Sequence, residues 1–261
     1  MLTAGVDVGS LAAKAAILDS EVAVVVGGAC VPTGSDPAAS GSRALQEALA
    51  EADVSGEEIA AVVATGYGRE ILPGAHWRVT EISCAARGAH LLDPQVRTVI
   101  DIGGQDSKAI RVDADGFPAD FALNDRCAAG TGRFLEVMSE ALGVGVDELD
   151  DLALEAERPA IITRTCTVFA ESEVVGLTAR GVAPAEIAAG LCRATAARVA
   201  QLAGTLGVEP RVMLIGGVAL NRAIGRYLSE ALSVELAVPD GPQFVVATGA
   251  ALIAAERQLA S

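Results

Sequence analysis

The pattern Asp-x-Gly-x-x-x-x-Lys-Ala-x-x-x-Asp occurs twice, at residues 7–19 and again, 94 residues on, at residues 101–113. A chain that repeats one strand–turn–strand unit at this separation is constrained to build two related halves. In each copy a β-branched run ends in an acidic residue, a glycine-containing turn follows, and a second apolar strand starts at or near the lysine. That order describes a β-hairpin whose tip can approach phosphate. Two such tips facing each other would enclose one polyphosphate.

The apolar periodicity predicts strands at 2–8, 13–18 and 21–28, a polar loop over 33–42 and an Ala-rich helix to about Ala52. A strand at 59–64 leads into the glycine-rich Thr65-Gly66-Tyr67-Gly68-Arg69, and a helix at 82–92 follows. A strand at 97–102 then restarts the pattern. The lobe boundary is therefore expected near Asp93 and Pro94, giving lobes 1–94 and 95–243, with a closing helix in 244–261 packing back on the first. The second half predicts helices at 130–142, 147–157, 169–180 and 184–206, and a strand at 211–215 ending at Gly216-Gly217. A helix at 220–232 and a short strand at 235–238 complete it. Strands interleaved with helices make this an α/β chain with a mixed sheet in each lobe, flanked by helices.

The formal charge of −15 argues against DNA or RNA as a partner, because such interfaces need clustered Lys and Arg. An acidic chain still binds a nucleotide where backbone N–H groups and a cation do the neutralising. Apolar runs such as 22–31 are too short to span a bilayer. Asp7 and Lys14 interrupt the N-terminal stretch, which excludes a signal peptide, so the expectation is a cytoplasmic protein without a membrane partner. His76 and His90 are the only histidines, little material for a triad or a His-rich metal site. Five cysteines without CxxC spacing are expected as thiols. Cys30, Cys84 and Cys192, set among Ala, Val and Leu, are expected as small buried hydrophobes.

Asp7 and Asp101 each close a strand beside glycine, where a carboxylate is suited to hold Mg²⁺ or its water shell. Gly9 and Ser10 in one turn, and Gly103 and Gly104 in the other, bring backbone to phosphate. Lys14 and Lys108 are suited to neutralise β- or γ-phosphate charge, the alternative for Lys108 being a solvated surface lysine. Gln105 is placed to orient a water towards the γ-phosphate. Gly216 and Gly217, with Asn221 following, either admit adenosine close to the backbone or form a tight strand-to-helix turn. The DVGS and DIGG hairpins and the late GGVALN segment resemble the acetate and sugar kinase, heat-shock chaperone and actin superfamily. That resemblance implies two ribonuclease-H-like lobes with ATP in the cleft between them.

Two further segments, NDRCAAGTGRF and CTVFAESE, each place a cysteine, Cys127 or Cys166, immediately before a predicted helix. The free N–H donors and partial positive charge of a helix start favour a thiolate held there. Both thiols are suited to a soft metal. Two per chain cannot complete a four-thiolate cluster, but two copies about a two-fold axis supply four.

The segments DIGGQDSKAI, NDRCAAGTGRFLE and CTVFAESEV, with TGYGRE and GGVALN, are similar to the activator components of 2-hydroxyacyl-CoA dehydratases and to the ATP-binding subunits of benzoyl-CoA reductase. The resemblance spans nearly the whole chain. It implies an oxygen-sensitive homodimer that shares one [4Fe-4S] cluster, ligated by Cys127 and Cys166 of each subunit, with ATP bound in each cleft. It also implies that ATP hydrolysis drives one low-potential electron from a ferredoxin or flavodoxin to an acyl-CoA dehydratase or reductase partner. Two rivals lie outside that family: a small-molecule kinase on the same fold, which has no need of thiols at two helix starts, and a regulatory ATP-binding protein without turnover.

Overall fold

The computed structural model describes residues 1–163 and 166–260. Its first sheet begins as the repeated motif predicts. β1 (Leu2–Val8) pairs antiparallel with β2 (Ala12–Asp19), Asp7 standing opposite Lys14, and β2 pairs antiparallel with β3 (Val24–Pro32). β4 (Ile59–Thr65) returns parallel to β1, and β5 (Trp77–Arg78) runs parallel to β4, giving the order β3-β2-β1-β4-β5.

Strand alternation divides β1 between two helical layers. Ala4, Val6 and Val8 join one buried cluster with Ala44 and Ala48 of α1 (Pro37–Glu51). Thr3 and Gly5 face α8 (Val245–Leu259) instead: the Thr3 hydroxyl donates to the Ala251 carbonyl at 2.8 Å, and a Cβ on Gly5 would collide with the Ala247 carbonyl. α8 also crosses α2 (Glu81–Leu92) backbone to backbone, because Gly88 and Gly249 meet where any side chain would strike the opposite main chain. Small residues thus let helices lie very close to one another and to the sheet. This is how a chain with 3% aromatic residues and 28 glycines fills its interior.

The second sheet repeats the plan. β6 (Thr98–Ile102), β7 (Ser107–Val112) and β8 (Pro118–Asn124) correspond to β1–β3, and β9 (Val212–Ile215) and β10 (Leu236–Ala237) to β4 and β5, in the order β10-β9-β6-β7-β8. Its core draws on Phe134 of α3 (Gly132–Leu142), Leu149 of α4 (Leu149–Glu155), Val174 of α5 (Thr167–Ala179), Leu191 of α6 (Pro184–Leu206) and Ile224 of α7 (Arg222–Leu232). Backbone proximity divides the chain into two units. One comprises Met1–Val99, Ile110–Phe121 and the chain from Pro239 onward; the other comprises Ile100–Ala109 and Ala122–Val238. Among the described residues no helix is long and apolar enough to cross a membrane.

Several expected elements shift. The third strand starts at Val24, not at 21, because Ala23 takes a left-handed φ of 56° and turns the chain inside an apolar run. The loop expected over 33–42 ends early: Asp36 accepts from the Ala39 N–H at 3.0 Å and Pro37 occupies the first helical turn, so α1 begins at 37. β5 and β8 are additional strands at the sheet edges.

Candidate functional site

The two turns close in the same way. Gly9 donates its N–H to the Ala12 carbonyl at 3.2 Å, and Gly103 donates to the Asp106 carbonyl at 3.0 Å. The acidic residue stands two positions earlier in each, buried at a strand end. In the first turn Lys14 Nζ lies 3.4 Å from Asp7 Oδ2. In the second, Lys108 Nζ lies 3.5 Å from Asp101 Oδ2 and 2.8 Å from Asp106 Oδ1. Lys108 is only 4% exposed, which corrects the alternative of a solvated surface lysine; an ammonium buried this deeply requires carboxylates beside it.

A second parallel between the halves was not visible in the motif. The strand beside each acidic residue ends in a glycine with positive φ, Gly66 (82°) after β4 and Gly216 (91°) after β9. A Cβ on Gly66 would collide with Asp7 Oδ1, and one on Gly216 would lie 2.5 Å from Asp101 Oδ1. In both halves the backbone thus presses directly on the carboxylate and fixes its direction, a fit open only to glycine. The available signal was the T-G and I-G that follow the two apolar strands.

Beyond the turns the halves diverge. The first turn is anchored by Thr33 at the end of β3, whose hydroxyl donates to the Gly9 carbonyl at 2.7 Å and whose N–H donates to Leu11 at 3.0 Å. The second is anchored by a helix: the N–H groups of Gly132 and Arg133, in the first turn of α3, donate to the carbonyls of Gly103 and Gly104 at 2.9 and 2.8 Å. Ser10 and Gly104 are half-buried, and Gln105 is exposed at the tip. Gly217 is exposed, with nothing crowding the space a side chain would take, and opens a short 3₁₀ turn, Gly217–Leu220. Asn221 then caps α7, its Oδ1 accepting from the Ile224 N–H at 2.8 Å and from Cys192 Sγ at 3.8 Å.

The five cysteines fall into two groups. Cys84 and Cys192 are fully buried, as expected, and burial pushes each thiol up to about 12. Cys30 is exposed, which corrects the expectation of a buried hydrophobe: it sits on the edge strand β3, where its neighbours Ala29 and Val31 take the inward positions. Cys127 is half-buried in the loop before α3, and Cys166 is the exposed N-cap of α5. The Cys166 carbonyl accepts from the N–H groups of Phe169 and Ala170, while its thiol makes no capping hydrogen bond. α5 is apolar on both sides: Ala170, Val174 and Leu177 face the core, while Val168, Phe169 and Val175 stand 69%, 59% and 55% exposed. Among the described residues no group of three or more His, Cys, Asp or Glu side chains forms a metal site. Three thiols of one chain are thus accessible, Cys30, Cys127 and Cys166, too few for a four-thiolate centre; Cys127 and Cys166, which belong to the same unit, fit half of such a centre when a second chain brings the same pair.

Two sheets of the same strand order, each with helices packed against it, define the class. A ROK family glucokinase from Streptomyces griseus, solved in complex with glucose and AMPPNP, has this fold at a TM-score of 0.59 and 17% identity, across 98% of this chain and 100% of that one. The protein thus has the α/β, ribonuclease-H-like fold that the sugar kinases show. The model of the BadF/BadG/BcrA/BcrD ATPase family matches residues 4–254, and the chain belongs to that family. The activator of lactoyl-CoA dehydratase from Anaerotignum propionicum is 44% identical over 257 residues, 98% of either chain. The crystal structure of Acidaminococcus fermentans (R)-2-hydroxyglutaryl-CoA dehydratase component A superimposes with a TM-score of 0.95 at 42% identity, covering 99% of both chains. The activator of the 2-hydroxyisocaproyl-CoA dehydratase from Clostridium difficile, with bound ADPNP, gives 0.94 at 39% identity, covering 100% of this chain and 96% of that one. The resemblance drawn from the motifs holds at the level of the family.

Proposed function

We propose that this ATPase is the activator of a 2-hydroxyacyl-CoA dehydratase, a cytoplasmic homodimer that uses ATP to deliver one low-potential electron to its partner enzyme. The end-to-end likeness to activators supports the partner class. The observation that carries the electron-transfer part is the placing of the thiols: Cys84 and Cys192 are sealed in the core and Cys30 lies on the edge strand of the other unit, whereas Cys127 stays accessible in the loop before α3 and Cys166 at the start of α5. The outward apolar residues of α5 beside Cys166 suit a contact with a second copy.

In this proposal Asp7 and Asp101 hold Mg²⁺ or its water shell, and Gly9, Ser10, Gly103 and Gly104 offer backbone to the phosphates of ATP. Lys14 and Lys108 balance charge at the two turns, and Gln105 orients the attacking water. Gly216 and Gly217 leave room for the adenosine, and Asn221, by capping α7, fixes the segment that follows them. Residues 1–94 and 95–243 are the two lobes, the closing helix belonging with the first. Cys127 and Cys166, with the same pair from a second copy, would hold the [4Fe-4S] cluster, which when bound supplies the low-potential electron. A ferredoxin or flavodoxin replenishes it.

ATP and ADP shift such a protein only if they bind its states with different affinity. The difference between them is the γ-phosphate. A group that draws on the second turn moves the carbonyls of Gly103 and Gly104, and these are bonded to the start of α3. Cys127 lies five residues before that helix start, in the loop that leads into it.

Anaerobic purification with iron and sulfide analysis of wild type, Cys127→Ala and Cys166→Ala is the test. Loss of the chromophore in both variants with ATP binding retained is expected. Wild type that stays colourless and monomeric after reconstitution sinks the proposal.

A further inference from the structure

Cys127 and Cys166 each lie in a stretch of chain that one side chain ties to a neighbour. Around Cys127, Asn124 Nδ2 donates to the carbonyl of Cys127 at 2.9 Å and to that of Ala129 at 3.3 Å. The intervening carbonyl, of Ala128, accepts from the Thr131 hydroxyl at 2.6 Å. Three successive carbonyls of the loop are thereby fixed. Around Cys166, the Glu173 carboxylate accepts from the Thr163 N–H at 3.1 and 3.0 Å and from the Thr163 hydroxyl at 2.6 Å. Side chains on a helix lean towards its N-terminus, so Glu173, in the second turn of α5, reaches back to the chain that enters the helix. The two clamps are unrelated in sequence and chemistry, one an amide donor and the other a carboxylate acceptor. Both join residues on either side of a cysteine or close around its carbonyl.

We infer that Asn124 and Glu173 are positioning residues that set the direction of the Cys127 and Cys166 thiols towards a shared metal centre, an inference that rests on the function proposed above. Groups that orient a ligand without touching the metal are worth roughly 10–100-fold in metal affinity. A carboxylate held by three hydrogen bonds from one residue resists rotation better than a solvated one, since charge-assisted bonds are the stronger kind. The hydrogen bonds that form the clamps join Asn124 to Cys127 and Ala129, and Glu173 to Thr163, all outside the phosphate turns.

The test uses full-length protein reconstituted anaerobically with iron and sulfide, as wild type, Asn124→Ala, Glu173→Gln, Thr163→Val and the double variant Thr163→Val/Glu173→Gln. Iron loss to a chelator is followed by absorbance, alongside ADP affinity and the unfolding midpoint of the metal-free chain. About tenfold faster iron release in each single variant is expected, with ADP affinity unchanged. The double variant should release iron more slowly than the product of the two single effects predicts, because the substitutions weaken the two sides of one contact: Gln keeps an oxygen that accepts from the Thr163 N–H, and Val keeps that N–H. Thr163→Val is nearly isosteric and guards against a result that merely reflects misfolding. Release at the wild-type rate overturns the inference, and so does a lowered unfolding midpoint with release unchanged. Wild type that takes up no iron overturns the function beneath it, and the two failures are thus distinguishable.

Discussion

The first and second turns share a hydrogen bond, an acidic strand end, a lysine and an overlying glycine, yet they are charged and anchored differently. Where the second turn has Asp106, the first has Ala12. Lys108 therefore meets two carboxylates under nearly complete burial, whereas the Lys14 side chain, 16% exposed, meets Asp7 beside solvent. The first turn hangs on a strand end through Thr33; the second hangs on α3. Duplication kept the geometry that aims a carboxylate and changed what lies behind it. Such a division suits one turn to act as a fixed wall and the other to report.

The lysines break this comparison most directly. Lys108→Ala leaves Asp101 and Asp106 without their shared cation and is expected to destabilise the protein by about 3 kcal/mol. Lys14→Ala, nearer solvent, costs about 1 kcal/mol. Urea unfolding measures both, and equal shifts would show that burial does not distinguish the turns. Next come the glycines, which test the sameness of the two halves. Gly66→Ala and Gly216→Ala each force a methyl group against a carboxylate at a positive φ, at a cost of about 2 kcal/mol, and both should weaken ADPNP binding. Calorimetric titration checks this, and loss in only one of the pair would end the equivalence.

The smallest effect concerns pH and assigns one thiol to each unit. Cys84 and Cys192 are pushed up to about 12 by burial, from an ordinary value of about 9. A raised folded-state value means that their contribution is complete below about 9 and is lost as the pH climbs towards about 12. At pH 10 each should account for about 1 kcal/mol of the decline from pH 7. Cys84→Ala and Cys192→Ala are each expected to remove about half of that alkaline slope in urea titrations. An unchanged slope would mean the thiols open to solvent before they ionise.

The hairpins, the mixed sheets and the long helices were legible because the duplicated motif and the apolar periods are local signals. α6 was foreseen over the residues it occupies, having Pro184 at its start and a continuous Ala-rich pattern. β5 and β8 were not. One is two residues long, and the other, PADFALN, is a mostly exposed edge strand that begins with proline, so neither carries a buried alternation. The turn at Ala23 escaped notice because a left-handed alanine leaves no glycine or asparagine in the sequence. At the site, the acidic strand ends and Cys166 at a helix start were readable as residue types in pattern, whereas Cys127, expected immediately before a helix, lies five residues ahead of α3, which opens at Gly132 with Thr131 as its cap. The pressure of Gly66 and Gly216 on the carboxylates and the Glu173 clamp depend on segments apart in the chain meeting in space, which no local period encodes.

The crossing of α2 and α8 has a mechanical consequence. Where Gly88 and Gly249 bring two main chains into contact, there is no layer of side chains to pack imperfectly. The volume lost on unfolding scales with internal voids, so this seam should contribute little to the response to hydrostatic pressure. Xenon, which enters apolar hollows, should find its guest sites elsewhere, among bulkier residues such as Phe134 and Met138 of the other core.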